Sequence, residues 1–175
     1  MTLSPSSERP LLAPAHPQNY GDRRASPIDM IVLHTTEGSY ESAVAWFADE
    51  EAHASAHYVV AHDGRVALCV PEHSCAWHCG NGPYNRRSIG IEIEGHADDP
   101  HTFSGAGWPA LIMLVGDIAK RHGIPLDRLH IIGHAEVPDP RVPGLFGGVN
   151  HHTDPGLFFP WAELVNALRA MEPVA

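Results

Sequence analysis

Ile28-Asp29-Met30-Ile31-Val32-Leu33-His34 is a short, nearly continuous apolar run that closes on a histidine. Its length and β-branched residues suit a buried strand. Downstream, residues 39–52 space Ala43, Val44, Trp46 and Phe47 for one face of a helix, with Ser39 or Ser42 as cap. Two strand-like runs, 56–62 and 65–70, flank Asp63-Gly64 and predict a hairpin. Residues 88–94 and 129–134 predict further strands. Between them residues 108–122 carry helical periodicity, closed by Gly123 and Pro125. A last helix is predicted over 159–170, with Pro160 suited to its first turn. Strands alternating with helices in this order predict an α/β fold, a mixed central β-sheet flanked by helices, in a single domain. Residues 1–27, rich in Pro, Ser and Ala, predict an extended N-terminal arm lying on the domain or disordered, and the domain proper covers 28–172.

Composition narrows the function. The 175 residues suffice for one domain with a real core, and no run of about 20 apolar residues is present to span a membrane. Eleven basic against 21 acidic residues leave a net charge of −10, which disfavours nucleic acid and anionic membrane surfaces as partners. Cys69, Cys75 and Cys79 are an odd set without a secretory signal, which argues against a disulfide framework. One pair can still close a small loop, and the Cys75–Cys79 spacing raises zinc, but no four-ligand set surrounds it. We read them as free thiols. The N-terminus has no apolar core of a signal peptide, so synthesis in the cytoplasm is expected.

Fourteen histidines are the compositional outlier, and position decides which of them matter. His34 and His134 each close a predicted strand, where a rigid sheet edge can aim a side chain into a cleft. Asp154 follows in His151-His152-Thr153-Asp154-Pro155-Gly156. Two imidazoles and one carboxylate form the mixed N/O set that holds a catalytic zinc with one position left open. A structural zinc site would be closed by four ligands rich in cysteine. The chain therefore reads as a metal-dependent hydrolase.

Six motifs occur in one order: His34-Thr35-Thr36, Ser55-Ala56-His57-Tyr58, Ala76-Trp77-His78-Cys79-Gly80, Ser88-Ile89-Gly90-Ile91-Glu92-Ile93-Glu94-Gly95, Gly133-His134 and Thr153-Asp154-Pro155-Gly156. Together they resemble the type 2 N-acetylmuramoyl-L-alanine amidases, the group of phage T7 lysozyme, the AmpD amidases and peptidoglycan recognition proteins. The resemblance runs from about Ile28 to the C-terminal helix. It implies a T7 lysozyme-like fold, one zinc held by His34, His134 and Asp154, and hydrolysis of the amide joining N-acetylmuramic acid to the L-alanine of a stem peptide. It also implies Glu92 as the catalytic carboxylate. Glu94, two residues on, shares that strand face by period 2 and stays open as the alternative. His152 stands where AmpD-like enzymes carry lysine, two before the aspartate, and is assigned to the oxyanion or the leaving nitrogen, with His151 as the nearest decoy.

Trp77 and His78 are expected to line the cleft, where aromatic rings pack on apolar faces of sugars. Asn85 and Arg86 are expected to meet a stem-peptide carboxylate. Residues 138–150 form a Pro/Gly-rich insertion, longer than in the AmpD pattern, that forms a wall or lid or is merely tolerated. The main rival within the same fold is a non-catalytic module that binds wall fragments, and the presence of Asp154 argues against it. The expected substrate is peptidoglycan or a soluble muropeptide, handled either by a cytosolic recycling enzyme or by a phage-type lysin released to the wall. We expect a monomer without membrane insertion.

Overall fold

A computed structural model gives the fold for residues 9–145 and 147–171. The first eight residues of the predicted arm and the last residue of the predicted domain lie outside the described residues. Eight strands are formed among the described residues: β1 (Leu11–Leu12), β2 (Tyr20–Asp22), β3 (Met30–Thr35), β4 (Tyr58–Val60), β5 (Val66–Leu68), β6 (Ser74–Ala76), β7 (Ser88–Ile93) and β8 (Ile131–Gly133). Four α-helices accompany them: α1 (Tyr40–Ala48), α2 (Gly82–Arg87), α3 (Gly107–His122) and α4 (Trp161–Ala170). Six strands make a mixed sheet in the order β1-β5-β4-β7-β3-β8, and β2 pairs with β6 in a small second sheet. The pairs β3–β7, β3–β8 and β4–β7 are parallel, while β4–β5 is the antiparallel hairpin around Asp63-Gly64.

Period 2 along β3 divides its side chains. Ile31 and Leu33 enter a core with Ile89, Ile91 and Ile131 from the sheet, Leu111, Val115 and Ile118 from α3, and Leu164 and Leu168 from α4. Met30 and Val32 pack on the other face with Ile132, Val137 and Cys79. His34 belongs to this second face. A further cluster closes α1 on the sheet through Tyr40, Phe47, Val59 and Ala67. Strands covered on both faces explain why the run 30–33 is apolar throughout rather than alternating.

Local signals account for the helix ends. Ser39 Oγ accepts from the Ser42 amide at the start of α1, and Gly123 terminates α3 in the left-handed region at φ 66. The helix predicted over 39–52 is shorter: Asp49 turns extended, its carboxylate accepts from the Glu51 amide, and Glu50–Ala52 forms a separate 3-10 turn. Trp46, expected on the packed face, is exposed. The last helix begins at Trp161 rather than 159, with Pro160 as its cap residue. Four elements were absent from the sequence reading: β1, β2, β6 and α2. The first two belong to the predicted arm, whose described part joins the sheets, β1 pairing with β5 and β2 with β6. Arg23 anchors it, donating through Nε to the Glu72 carbonyl at 2.6 Å and through Nη1 to the Arg86 carbonyl at 2.7 Å. No described helix is long and apolar enough to cross a membrane.

Glu72 ties the hairpin to the end of α3. It accepts from Tyr58 Oη at 2.8 Å and Arg121 Nη2 at 2.6 Å, and its second oxygen lies 2.7 Å from His122 Nε2. Burial opposes its charge, but the bonds from Arg121, His122 and Tyr58 prevail and hold the carboxyl at about 2. A folded value below the unfolded one makes the stabilisation complete above about 4.5 and progressively lost as pH falls toward about 2. Glu72→Gln is expected to lower unfolding free energy at neutral pH by roughly 2–3 kcal/mol. Urea titrations at stepwise lower pH should show the gap to the parent protein narrowing from pH 4.5 downward.

Candidate active site

The site opens at the carboxyl ends of the parallel strands, where ligands of open α/β sheets generally bind. Parallel register sets His34 on β3 opposite Glu92 on β7, Val32 opposite Gly90 and Met30 opposite Ser88. All of these lie on the sheet face away from α3 and α4. His134 follows directly on β8. Asp154 comes from the long loop and is seated by three contacts. Its carbonyl accepts from the Ala135 amide at 2.9 Å, and the next residue, Pro155, packs on Gly133 so closely that a Cβ there would lie 2.6 Å from Pro155 Cδ. Asn150 Nδ2 braces the loop by donating to the carbonyls of His134 and Val137.

These positions bring His34, His134 and Asp154 together, with one ligand atom of each within 4.8 Å of the others and all three largely buried. Asp154 Oδ2 lies 3.1 Å from His34 Nδ1 and 3.3 Å from His134 Nδ1. Burial opposes ionisation of Asp154, yet the contacts with His134 and His34 hold it well below the usual carboxylate range. Burial pushes His34 the other way for a base, below the usual imidazole value, and so favours its neutral form. His134 Nε2 is buried with no hydrogen-bond partner.

The two candidate carboxylates part company in the structure. Glu94 accepts from the backbone amides of Tyr40 at 3.1 Å and His62 at 2.7 Å. Glu92 Oε2 is enclosed without a partner. Burial, with Asp154 and Glu37 nearby, raises the Glu92 carboxyl well above its ordinary value. His152 stacks on His134 with ring centroids 3.9 Å apart, and its Nδ1 is 3.9 Å from Asp154. His151 turns outward, its Nδ1 3.7 Å from Asp139. A cavity of about 300 Å³ beside His152 is walled by Asp139, Pro140, Arg141 and Asn150, so the insertion forms a wall next to the site.

The residues expected to meet substrate are placed differently from one another. Trp77 and Arg86 share a second cavity of about 260 Å³ with Asp22 and Arg24. His78 packs against His34, with its Nδ1 3.0 Å from His34 Nε2. Asn85 is buried, and its Oδ1 already accepts from the amides of His78 and Cys79 and from Cys79 Sγ. Its carboxamide oxygen thus shapes the 78–79 backbone, and the residue also lines the cavity shared by Trp77 and Arg86. Cys69, Cys75 and Cys79 are unpaired and buried. Burial raises the Cys69 and Cys79 thiols to about 12, far from a reactive thiolate.

A mixed α/β sheet with two histidines and a carboxylate at its strand ends, flanked by a raised carboxyl group, has the donor set and the acid–base partner of a hydrolase. The chain belongs to the N-acetylmuramoyl-L-alanine amidase family, whose model matches residues 24–157. It is 33% identical over 168 residues to N-acetylmuramoyl-L-alanine amidase A of Achromobacter lyticus, covering 89% of this chain and 90% of that one. It is 33% identical over 119 residues to 1,6-anhydro-N-acetylmuramyl-L-alanine amidase AmpD of Escherichia coli, a match spanning 62% of this chain and 55% of AmpD. A crystal structure of an AmpD derivative superposes with a TM-score of 0.69 at 25% identity, over 96% of this chain and 99% of that one. The amidase AmiD of E. coli, solved with the substrate anhydro-N-acetylmuramic acid-L-Ala-D-gamma-Glu-L-Lys, gives 0.65 at 30% identity, over 82% and 58%.

Asn85→Ala leaves three donors around residues 78–79 without their acceptor. The expected loss is roughly 1–3 kcal/mol of unfolding free energy, measured by urea titration.

Proposed function

We propose that this protein hydrolyses the amide between the lactyl group of N-acetylmuramic acid and the L-alanine of a stem peptide, using one zinc held by His34, His134 and Asp154. The observation that carries the proposal is the juxtaposition of that cluster with the unpartnered Glu92 Oε2 across the β3–β7 pair. The substrate in the AmiD complex contains this bond.

The cluster fits the metal. Two imidazole nitrogens and one carboxylate oxygen are a catalytic zinc's donor set, and three protein ligands leave a position open. The ionised Asp154 carboxylate is met from two sides by Nδ1 atoms of buried histidines, an arrangement that a cation between them satisfies. When bound there, zinc supplies Lewis acidity, acidifying water and polarising the scissile carbonyl.

Glu92 is the proton carrier. Its raised proton affinity suits a group that takes a proton from the attacking water and returns it to the departing L-alanine nitrogen. His152, held flat against His134, offers an N–H to the oxygen that becomes negative during attack. Burial and the neighbouring His134 lower its proton affinity, while Asp154 opposes them. Trp77 and Arg86, lining the 260 Å³ cavity, supply an aromatic face and a cation for the substrate's sugar and peptide.

The deciding experiment incubates purified muropeptides and intact sacculi with the protein, with and without a chelator, and follows products by mass spectrometry. Stem peptide beginning with L-alanine should appear, vanish on chelation and return with zinc. Zinc bound without cleavage of either substrate rejects catalysis in favour of a binding module. Asp154→Ala should lose zinc and activity together. Glu92→Gln should retain zinc while turnover falls by about 100-fold or more. Full activity in that variant removes Glu92 from its role.

A further inference from the structure

A line of buried polar contacts runs from the candidate metal site into the body of the protein. His34 Nε2 lies 3.0 Å from His78 Nδ1. His78 Nε2 lies 3.0 Å from Ser88 Oγ. Ser88 Oγ in turn donates to the Tyr84 carbonyl at 2.7 Å. Hydrogen counting gives this line a direction. A carbonyl only accepts, so the single hydroxyl proton of Ser88 points to Tyr84. Ser88 Oγ then accepts from His78, which places a proton on His78 Nε2. At the other end, a nitrogen that ligates a metal carries no proton, so with a metal held at Nδ1, the nitrogen that faces Asp154, His34 would bear its proton on Nε2. That proton is received by a bare His78 Nδ1. One arrangement of protons satisfies every contact, and neither end can reverse it.

Resting on the zinc reading above, we infer that His78 is a positioning residue: with Ser88 it fixes His34 in the tautomer that presents the Nδ1 lone pair to the metal. Such an outer partner commonly orients a ligating histidine and raises its basicity. Here the partner is itself a histidine, oriented by a serine hydroxyl and the last turn of a helix. The Tyr84 carbonyl is among the carbonyls that α2 leaves without an in-helix partner, so the relay also satisfies a group the short helix exposes.

The backbone around His78 is built to hold that ring. Gly90 stands beneath it on β7, and a Cβ at that position would lie 2.4 Å from His78 Cγ and 2.7 Å from Nδ1. The His78 amide is held by Asn85 Oδ1 at 3.2 Å. Ser88 and Gly90 occupy the same strand face as Glu92, four and two residues before it, so a single strand supplies the end of the relay, the floor of the ring and the proton carrier.

The test measures zinc affinity by competition with a chromophoric chelator, alongside urea unfolding of the metal-free proteins. His78→Phe keeps a ring and removes the acceptor. It should bind zinc roughly 10–100-fold more weakly. His78→Asn places a carboxamide oxygen near the Nδ1 position and should recover most of that affinity. Long-range ¹H–¹⁵N correlation spectra of the unmodified zinc-bound protein should show protons on His34 Nε2 and His78 Nε2, a readout that does not depend on any variant folding. Equal zinc affinity in native protein and His78→Phe overturns the relay while leaving the metal site standing. A proton on His78 Nδ1 in the zinc-bound protein overturns it as well. Native protein that takes up no zinc overturns both readings.

Discussion

The parallel register of β3 against β7 is the constraint from which the site follows. Ile31 and Leu33 must face α3 and α4 together with Ile89 and Ile91, and each such side chain contributes on the order of 1.5–3 kcal/mol when fully buried. A slip of either strand by one residue would turn its own two core side chains to the opposite face and bring its polar residue, His34 or Glu92, into the hydrophobic core. The core therefore selects one register by its own burial. That register places His34 beside Glu92, Val32 beside Gly90 and Met30 beside Ser88. Geometry at the reacting end is a consequence of hydrophobic packing on the reverse of the same sheet.

The other half of the site arrives from loops and is held by different means. Asp154 and His152 belong to no strand or α-helix. Their positions depend on Pro155 seated on Gly133, on the Asp154 carbonyl at the Ala135 amide, and on Asn150 bridging two carbonyls. Rigid strands thus supply His34 and Glu92, while a polar clamp next to β8 brings in Asp154. The insertion 138–150 contributes to this clamp through Asn150. The paired amides and carbonyls of Asp139 and Gly148 close that insertion on itself, so its ends remain together.

Much of this was legible in the sequence because it rests on local pattern. The apolar run before His34, the Asp63-Gly64 turn, and the α3 stop at Gly123 each carry their signal within a few residues. The elements missed were stabilised from outside their own segment. Leu11–Leu12 and Tyr20–Asp22 have strand character only through their partners β5 and β6, and the dominant local signal there is Pro and Ser. The short α2 did carry a cue, since Asn81 accepts from the Tyr84 amide and Pro83 sits in the first turn, but six residues show too little periodicity to stand out. Motif order brought forward the His34, His134 and Asp154 cluster. It could not show that Asn85 faces inward or that His78 packs against His34, because both depend on the path of 76–90 across the sheet.

Glu92 and Glu94 show where period and motif stop and environment begins. They lie two residues apart around the end of one strand, identical in chemistry. Glu94 meets two backbone amides that need an acceptor, and its charge is satisfied where it stands. Glu92 meets enclosure and the like charge of Asp154, and its proton is held more tightly. The surroundings thus set apart two like carboxyl groups: Glu94 is a structural anchor between two amides, while Glu92 keeps an unpartnered oxygen beside the cluster. Enclosure of Glu92 is in turn enforced by the β3–β7 pairing, which sets it across from buried His34. The same pairing therefore both delivers the carboxyl to the cluster of His34, His134 and Asp154 and encloses it, which raises its proton affinity.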